Sequence, residues 1–268
     1  MSGSVIHSQS AARVPAVYSA GQSPQLPVVI DYPAALALRQ MSMVHDELPR
    51  YLLAPEVSAL LHYVPDLRRK MLLATLWNTG ARINEALALT RGDFSLAPPY
   101  PFVQLATLKQ RTEKAARTAG RTPAGQQTHR LVPLSDSWYV SQLQTMVATL
   151  KIPLERRNKR TGRTEKARIW EVTDRTVRTW IGEAVAAAAA DGVTFSVPVT
   201  PHTFRHSYAM HMLYAGIPLK VLQSLMGHKS ISSTEVYTKV FALDVAARHR
   251  VQFAMPESDA VAMLKQLS

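Results

Sequence analysis

Residues 200–240 constrain what this chain can fold into more than any other stretch, because glycine and proline divide them into three short helices. Thr200 is a favourable N-cap and Pro201 is tolerated in a first turn, so the first helix is predicted to begin there. His202 and Arg205 then lie three residues apart on one face of that helix. We therefore expect these two polar side chains to point the same way.

The other two helices of this stretch are expected to present a histidine and a tyrosine. Gly216 and Gly227 stand where helices favour a C-terminal glycine, and Pro218 opens the middle helix. His228 is therefore expected in the tight turn that follows Gly227. Tyr237 is predicted to lie within or near the last helical turn.

These residue types suit chemistry on a phosphodiester. A tyrosine hydroxyl has a pKa of about 10 and is a poor nucleophile unless a base accepts its proton, a role for which His202 is the candidate. Negative charge grows on the phosphate oxygens during attack, and the guanidinium of Arg205 matches their geometry and stays charged. A second guanidinium is available from Arg82, with Glu85 three residues on to orient it by hydrogen bonding.

Four segments resemble the tyrosine recombinase (phage integrase) family in their order and approximate spacing. They are residues 79–85, 202–206 and 227–229 and Tyr237, and the match as a pattern spans about residues 53–240. The resemblance implies one active site in which Arg82 joins Arg205, a placement that the sequence alone does not provide. The implied catalytic residues are Arg82, Lys109, His202, Arg205, His228 and Tyr237, with Glu85 in support.

Membership of this family implies an enzyme that breaks and rejoins DNA. The tyrosine is then expected to form a 3′-phosphotyrosyl bond and to free a 5′ hydroxyl, with no cofactor and no metal. The resemblance also implies double-stranded DNA as substrate, a homo-tetramer on two DNA sites and accessory DNA-bending proteins. Within the family the chain is most similar to the multimer resolvases of F-like plasmids, so resolution of plasmid multimers is the expected role.

The charge of the chain agrees with a polyanionic partner. The 268 residues include 31 Lys and Arg against 19 Asp and Glu, which gives a formal charge of +12. The absence of cysteine excludes disulfides and thiolate chemistry and agrees with a reducing compartment. No signal peptide and no apolar run of membrane-spanning length is present, so we expect a cytoplasmic protein with no membrane partner.

The hydrophobic periodicity predicts an α+β, mainly helical fold with a small antiparallel sheet or hairpin. The resemblance implies that this fold is a tyrosine recombinase catalytic domain. Two strands are expected at 101–108 and 129–134. Helices are expected at 53–64, 66–77, 82–89 and 135–150, and at 175–190 with Asp174 as its cap.

Two basic segments are the predicted DNA contacts. The hairpin that joins the two strands holds Lys109, which the resemblance implies is the acid that protonates the leaving 5′ oxygen, with Lys114 as the substitute. Residues 151–166 are predicted to form a loop, because their like charges resist packing. The alternative is a solvated loop with no partner, and salt dependence would separate the two. The candidate phosphate contacts are Arg111, Lys114, Arg117, Arg121, Arg156, Arg157, Lys159, Arg160 and Arg163.

Three regions are expected along the chain. Residues 1–50 are predicted to be a flexible, largely disordered arm with one short helix, too short for the clamping domain that usually precedes the catalytic domain in this family. Residues 51–255 are the expected catalytic domain. Residues 256–268 are predicted to be a helix with an apolar stripe that exchanges between protomers.

Other interpretations of the same residues remain open. A phage-type integrase or an invertase would use identical chemistry, and a decayed site would leave a catalytically inactive DNA-binding regulator. A metal site at His202, His206 and His228 is disfavoured, because no carboxylate lies near them in sequence and arginine repels a cation. Apart from that case, His206 is predicted to brace its helix outside the active site.

Overall fold

The computed structural model describes residues 35–36, 39–40, 49–106, 129–158, 160–239, 263 and 265, and it confirms the expected mainly helical α+β fold. Within these ranges, no helix combines the length and the apolar composition that crossing a membrane requires. Within residues 49–239 the described α-helices are α1 (Ala54–His62), α2 (Leu67–Thr79), α3 (Ile83–Leu87), α4 (Ser137–Thr149), α5 (Asp174–Ala190), α6 (Pro201–Tyr214), α7 (Leu219–Met226) and α8, described over 232–239.

The main sheet has three antiparallel strands in the order β1 (Phe94–Ser95), β2 (Phe102–Ala106) and β3 (His129–Pro133). The two predicted strands are present, and β1 is an addition that two residues were too few to signal. Val103 pairs with Val132 and Leu105 with Arg130, and all four are buried. This face of the sheet therefore packs on the core and includes one arginine.

Helix α2 lies at the centre of the core. Asp66 caps it by accepting a hydrogen bond from Arg69 N, and Gly80 ends it in the left-handed region at φ 58°. Its Thr75 hydroxyl meets Tyr139 of α4 at 2.8 Å. A Cβ on Gly80 would overlap the ring of Tyr208, so α6 crosses close to the end of α2. The C-terminal end of α2 is thereby fixed against α6.

The capping pattern places the start of α6 as predicted. The Thr200 hydroxyl accepts a hydrogen bond from Thr203 N at 3.2 Å, and Pro201 is the first helical residue. Helix α5 differs by one position, because Thr173 is its N-cap and Asp174 already lies within the helix. A threonine hydroxyl can also fill the capping role, and that of Thr173 accepts a hydrogen bond from Thr176 N.

The predicted loop at 151–166 is wrong, because its central part forms a two-stranded hairpin, β4 (Glu155–Arg157) paired with β5 (Thr164–Lys166). The few acids present lie where they compensate the positive charge. Arg156 makes ion pairs with Glu165, at 2.8 Å, and with Glu171. Gly162, at φ 68°, supplies a turn conformation that other residues rarely adopt.

Candidate active site

Arg82 is the N-cap residue of α3. Its backbone N–H donates to Glu85 Oε2 at 2.9 Å, and its Nη1 donates to Glu85 Oε1 at 3.0 Å. The Glu85 side chain is 1% exposed, whereas that of Arg82 is 39% exposed. Glu85 therefore orients Arg82, as the spacing of three residues predicts, and leaves its guanidinium accessible to a ligand.

Arg205 is buried in α6 and joins the ends of two other helices. Its Nη1 donates to the carbonyl of Gly80, after α2, and its Nη2 donates to that of Met226, at the end of α7, at 2.6 Å. Helix C-terminal ends carry partial negative charge, which suits a cation. Burial, followed by the charge of Arg82, lowers the pKa of Arg205 to about 10, so it stays protonated at neutral pH.

Tyr237 lies in α8 and is only 2% exposed. Its hydroxyl is 2.9 Å from Nδ1 of His206. Burial raises the pKa of Tyr237 to about 12, although the charges of Arg205 and Arg82 act to lower it. The tyrosine is therefore protonated at neutral pH, and it lies within the field of both arginines that were predicted to share its site.

His206 is the residue that the sequence interpretation excluded, yet it contacts the tyrosine. Burial, followed by the charges of His202 and Arg205, lowers the pKa of His206 to about 4, so the imidazole is neutral at pH 7. His202 is exposed, and its ring stacks on that of His206 with 6.3 Å between centroids. The sequence feature that indicates a position near the site is the spacing of four residues between His202 and His206, which puts both histidines on one face of α6.

His228 occupies the turn after α7, as the sequence predicts. Its Nδ1 is 2.8 Å from the hydroxyl of Thr234, a fully buried residue of α8. Burial, followed by the charges of Arg205 and Arg82, lowers the pKa of His228 to about 4. This neutral ring therefore links α7 to the helix that carries Tyr237.

Arg130 of β3 is a second residue that the sequence interpretation missed. Its Nη1 and Nη2 donate to the two carboxylate oxygens of Glu85 at 3.2 and 2.6 Å, and its Nε donates to the carbonyl of Leu225 at 2.8 Å. The signal was alternation along the strand, since Arg130 shares the inward face with Val132. An arginine on a buried face requires partners.

The structure thus brings together five of the predicted catalytic and supporting residues in one cluster, and His202 lies at its exposed edge. Arg82, Arg130 and Arg205 face a single carboxylate in this cluster, that of Glu85. Burial opposes ionisation of Glu85, but Arg130 and Arg82 outweigh it and hold the pKa of this carboxyl below its ordinary value. The cluster therefore has an excess of positive charge that suits an anion. The five predicted members are Arg82, Glu85, Arg205, His228 and Tyr237. Arg130, which binds Glu85, and His206, which contacts Tyr237, also belong to this active-site cluster.

Other predicted residues lie elsewhere. Arg156, Arg157, Arg160 and Arg163 belong to the β4–β5 hairpin, whose following segment contacts the start of α2 through the bond from Trp170 Nε1 to the carbonyl of Arg68. The active-site cluster lies at the opposite end of α2, a helix about 20 Å long. Lys109, Arg111, Lys114, Arg117, Arg121 and Lys159 lie outside the described residues, as do most of the arm and of residues 256–268.

Comparison with known proteins places this arrangement in context. Residues 50–243 match the Phage integrase family. The chain is 96% identical over 268 residues to a "Resolvase" of Escherichia coli (strain K12), covering all of both chains. It is also 33% identical over 202 residues to "Tyrosine recombinase XerD" of Mycobacterium leprae (strain TN), covering 72% of this chain and 57% of that protein.

The fold also resembles that of solved structures. A "XerH site-specific recombinase bound to palindromic difH substrate" is similar with a TM-score of 0.54 at 18% identity, over 76% of this chain and 53% of that one. The XerA recombinase has a TM-score of 0.53 at 19% identity, over 77% of this chain and 65% of that one. The chain thus spans about half of the XerH protein, and these likenesses concern the fold.

Proposed function

This chain belongs to the phage integrase family, the tyrosine recombinases, and on that premise we propose that Tyr237 is the nucleophile that cuts DNA. Its phenolic oxygen attacks the phosphorus, the bond from phosphorus to the 5′ oxygen breaks, and a 3′-phosphotyrosyl ester forms. The freed 5′ oxygen takes a proton, for which Lys109 is the proposed donor. A 5′ hydroxyl from a partner strand then reverses the step and rejoins the DNA. The ester retains the bond energy, so the cycle needs no ATP.

The observation that carries this proposal is the position of Tyr237 within the field of Arg82 and Arg205. Attack on a phosphodiester places more negative charge on the non-bridging oxygens, and preorganised guanidinium groups stabilise that charge. Arg205 is held by two backbone carbonyls and Arg82 by Glu85. Neither arginine must therefore reorganise extensively during the reaction.

The contact between His206 and Tyr237 supports His206 as the acceptor of the tyrosine proton. A neutral imidazole can accept it, but the pKa values of about 4 and about 12 make transfer strongly uphill in the free protein. A bound phosphate raises the pKa of His206, because an opposite charge favours the protonated ring. We therefore propose that activation of the tyrosine awaits DNA, with His202 as the outer histidine at the phosphate.

His228 is proposed to donate a hydrogen bond to the phosphate. Its ring is neutral, and its Nδ1 already contacts the Thr234 hydroxyl. If that hydroxyl donates, the proton of the ring is on Nε2 and is free to meet a non-bridging oxygen. Because Tyr237 is 2% exposed, we further propose that α8 moves when DNA enters the site.

We propose resolution of plasmid multimers as the biological role, in the cytoplasm, on double-stranded DNA. The support is the near-identity to the Escherichia coli "Resolvase". We also propose that the chain forms a homo-tetramer on two DNA sites and that exchange of the segment at 256–268 joins its subunits. DNA-bending proteins are proposed to assist this assembly. A chain truncated before residue 256 should then cleave one site but assemble poorly on two.

The direct test is covalent trapping on supercoiled DNA that carries candidate sites. The unmodified chain should remain attached to nicked DNA, and digestion should map the attached nucleotide to Tyr237. Tyr237→Phe should bind with similar affinity and form no adduct. An adduct at another residue, or cleavage by the phenylalanine variant, contradicts the proposal. A plasmid with two directly repeated sites should yield two smaller circles, whereas inverted sites report invertase activity.

A further inference from the structure

We propose that Arg130 is a positioning residue for DNA cleavage, which acts through Glu85 on Arg82 and through the end of α7 on the turn that carries His228. The inference rests on the proposed function but adds a residue that does not itself reach the phosphate. Its support comes from three separate contacts of one guanidinium.

The first route runs through Glu85. Arg130 binds both carboxylate oxygens, at 3.2 and 2.6 Å, and the same two oxygens accept bonds from the backbone and side chain of Arg82. Glu85 is buried, and burial favours the neutral carboxyl. Among the residues that the structure describes, loss of Arg130 would leave Arg82, itself partly exposed, as the one arginine that donates to this carboxylate. The carboxylate would then orient Arg82 less firmly.

The second route runs through the last turn of α7. Arg130 Nε donates to the carbonyl of Leu225 at 2.8 Å, and Arg205 Nη2 donates to the next carbonyl, that of Met226, at 2.6 Å. Two arginines thus hold consecutive carbonyls directly before Gly227. Unpaired carbonyls at a helix end need such partners, so the two bonds fix where the turn begins.

Close packing at Gly227 supports the same route. A Cβ at this position would lie 3.0 Å from Nη1 of Arg130 and 3.1 Å from its Cδ. The arginine side chain therefore lies directly against the backbone of the turn, one residue before His228. A shift of Arg130 is expected to move both the turn and the imidazole.

Lysine is the informative replacement because it preserves the positive charge but lacks the planar arrangement of donor nitrogens. The three contacts of Arg130 use three different nitrogens of a planar fork, whereas a lysine has one ammonium. Arg130→Lys therefore cannot bridge Glu85 and Leu225 in the same way. If Arg130 contributed only positive charge, this variant would cleave normally.

The experiment measures the single-turnover rate of adduct formation on a duplex whose site has first been identified by trapping the unmodified chain. A nick beside the scissile phosphate prevents rejoining. Arg130→Lys should react about ten to a hundred times more slowly, the usual cost of losing a partner that orients a functional residue. Its DNA affinity should be unchanged. Glu85→Gln should show a similar loss, and the double variant should be less impaired than the product of the two single effects.

Arg68→Lys is the matched control. Arg68 is exposed, unlike Arg130, but its guanidinium also donates two bonds to a backbone carbonyl, that of Ile169, at the far end of α2. This variant should lower the melting temperature and leave the cleavage rate unchanged when both proteins are folded. A loss in Arg130→Lys no larger than that in Arg68→Lys overturns the inference.

The outcomes separate the inference from the proposed function. If the unmodified chain forms no adduct on any DNA, the proposed function fails and this role fails with it. If the unmodified chain reacts and Arg130→Lys reacts as fast, only the role of Arg130 is refuted. If Arg130→Lys does not fold, Glu85→Gln decides, since normal cleavage by that variant removes the route through the carboxylate.

Discussion

The arginines of the active-site cluster and those of the β4–β5 hairpin carry the same charge in opposite settings. Arg130 and Arg205 are at least 91% buried, and each donates to acceptors from two different elements. Arg160 and Arg163 are exposed near the turn of the hairpin. Neither the charge of an arginine nor its position along the chain therefore indicates whether its side chain is held in a fixed geometry.

The two settings predict different energetics. A buried guanidinium has lost its hydration and depends on its hydrogen-bond partners, so breaking these bonds lowers the free energy of unfolding by several kcal/mol. An exposed guanidinium is screened over about 8 Å at physiological salt. We therefore expect the cluster to act on the reaction rate and the hairpin to act on salt-dependent affinity.

Among replacements that compare the two regions, Arg205→Lys has the largest expected effect. The lysine keeps the charge but cannot reach both the Gly80 and Met226 carbonyls while facing a phosphate, so adduct formation should slow by about 10²- to 10³-fold. The same replacement at Arg157 of the hairpin is the control and should leave the rate unchanged. The rate of adduct formation is measured by single-turnover trapping. If Arg205→Lys and Arg157→Lys slow it equally, the proposed distinction between the two regions is wrong.

A second test compares two glycines in left-handed conformations. Gly227, at φ 63°, and Gly162, at φ 68°, should each cost about 1–2 kcal/mol when replaced by alanine, from backbone strain alone. Only at Gly227 does the new Cβ also press on Arg130, within 3.0–3.3 Å of three of its atoms. Gly227→Ala should therefore lower the cleavage rate as well as the melting temperature, whereas Gly162→Ala should affect stability alone. Slow cleavage in Gly162→Ala would contradict the comparison.

Local patterns predicted much of the fold and part of the site. The N-cap at Thr200, the glycine after α7 and the spacing of Arg82 and Glu85 involve neighbours in sequence, and the structure contains all three. Short-range geometry fixes such contacts whatever the rest of the chain does. The same reasoning could not predict that Arg82 lies close enough to Arg205 to affect its pKa, because that proximity depends on how α2 and α6 pack.

The differences between prediction and structure have the same origin. Sequence reasoning places His206 outside the site, because a histidine four residues after another commonly braces its helix, but the tyrosine that it contacts is 31 residues away. Arg130 was overlooked because its carboxylate partner is 45 residues away. The loop predicted at 151–166 failed because Arg156 and Glu165 meet only when the strands pair. Long-range pairing, rather than residue type, decided each case.

The pH dependence of stability should also separate the two regions. His206 and His228 have folded pKa values of about 4, against 6.5 when unperturbed, so the unfolded chain binds more protons between these values. Stability should therefore fall as the pH drops from 6.5 towards 4, by at most about 2 kcal/mol per histidine at pH 5. His206→Gln should lose less stability on acidification than the unmodified chain, as measured by melting temperature at pH 7 and pH 5.

The hairpin should contribute nothing to that change. Asn158 and Arg156 hold the pKa of Glu165 below its ordinary value, so this carboxylate stays charged throughout the window. Replacing Glu165 by Gln should therefore leave the difference in melting temperature between pH 7 and pH 5 unaltered. If Glu165→Gln became less sensitive to acid and His206→Gln did not, the pH response would come from the hairpin, which would contradict this prediction.

The smallest effect is expected from the double variant Arg160→Gln/Arg163→Gln. If both exposed side chains contact phosphates, their loss should reduce the slope of log affinity against log salt by about 0.9 for each contact and weaken binding mainly at low salt. Cleavage of DNA already bound should proceed at the normal rate, because the segment after the hairpin contacts the start of α2 whereas the cluster lies at its other end. Glu155→Gln removes one charge of the opposite sign from the same hairpin and should not weaken binding. An unchanged salt slope in the double variant would identify these arginines as solvated surface charge.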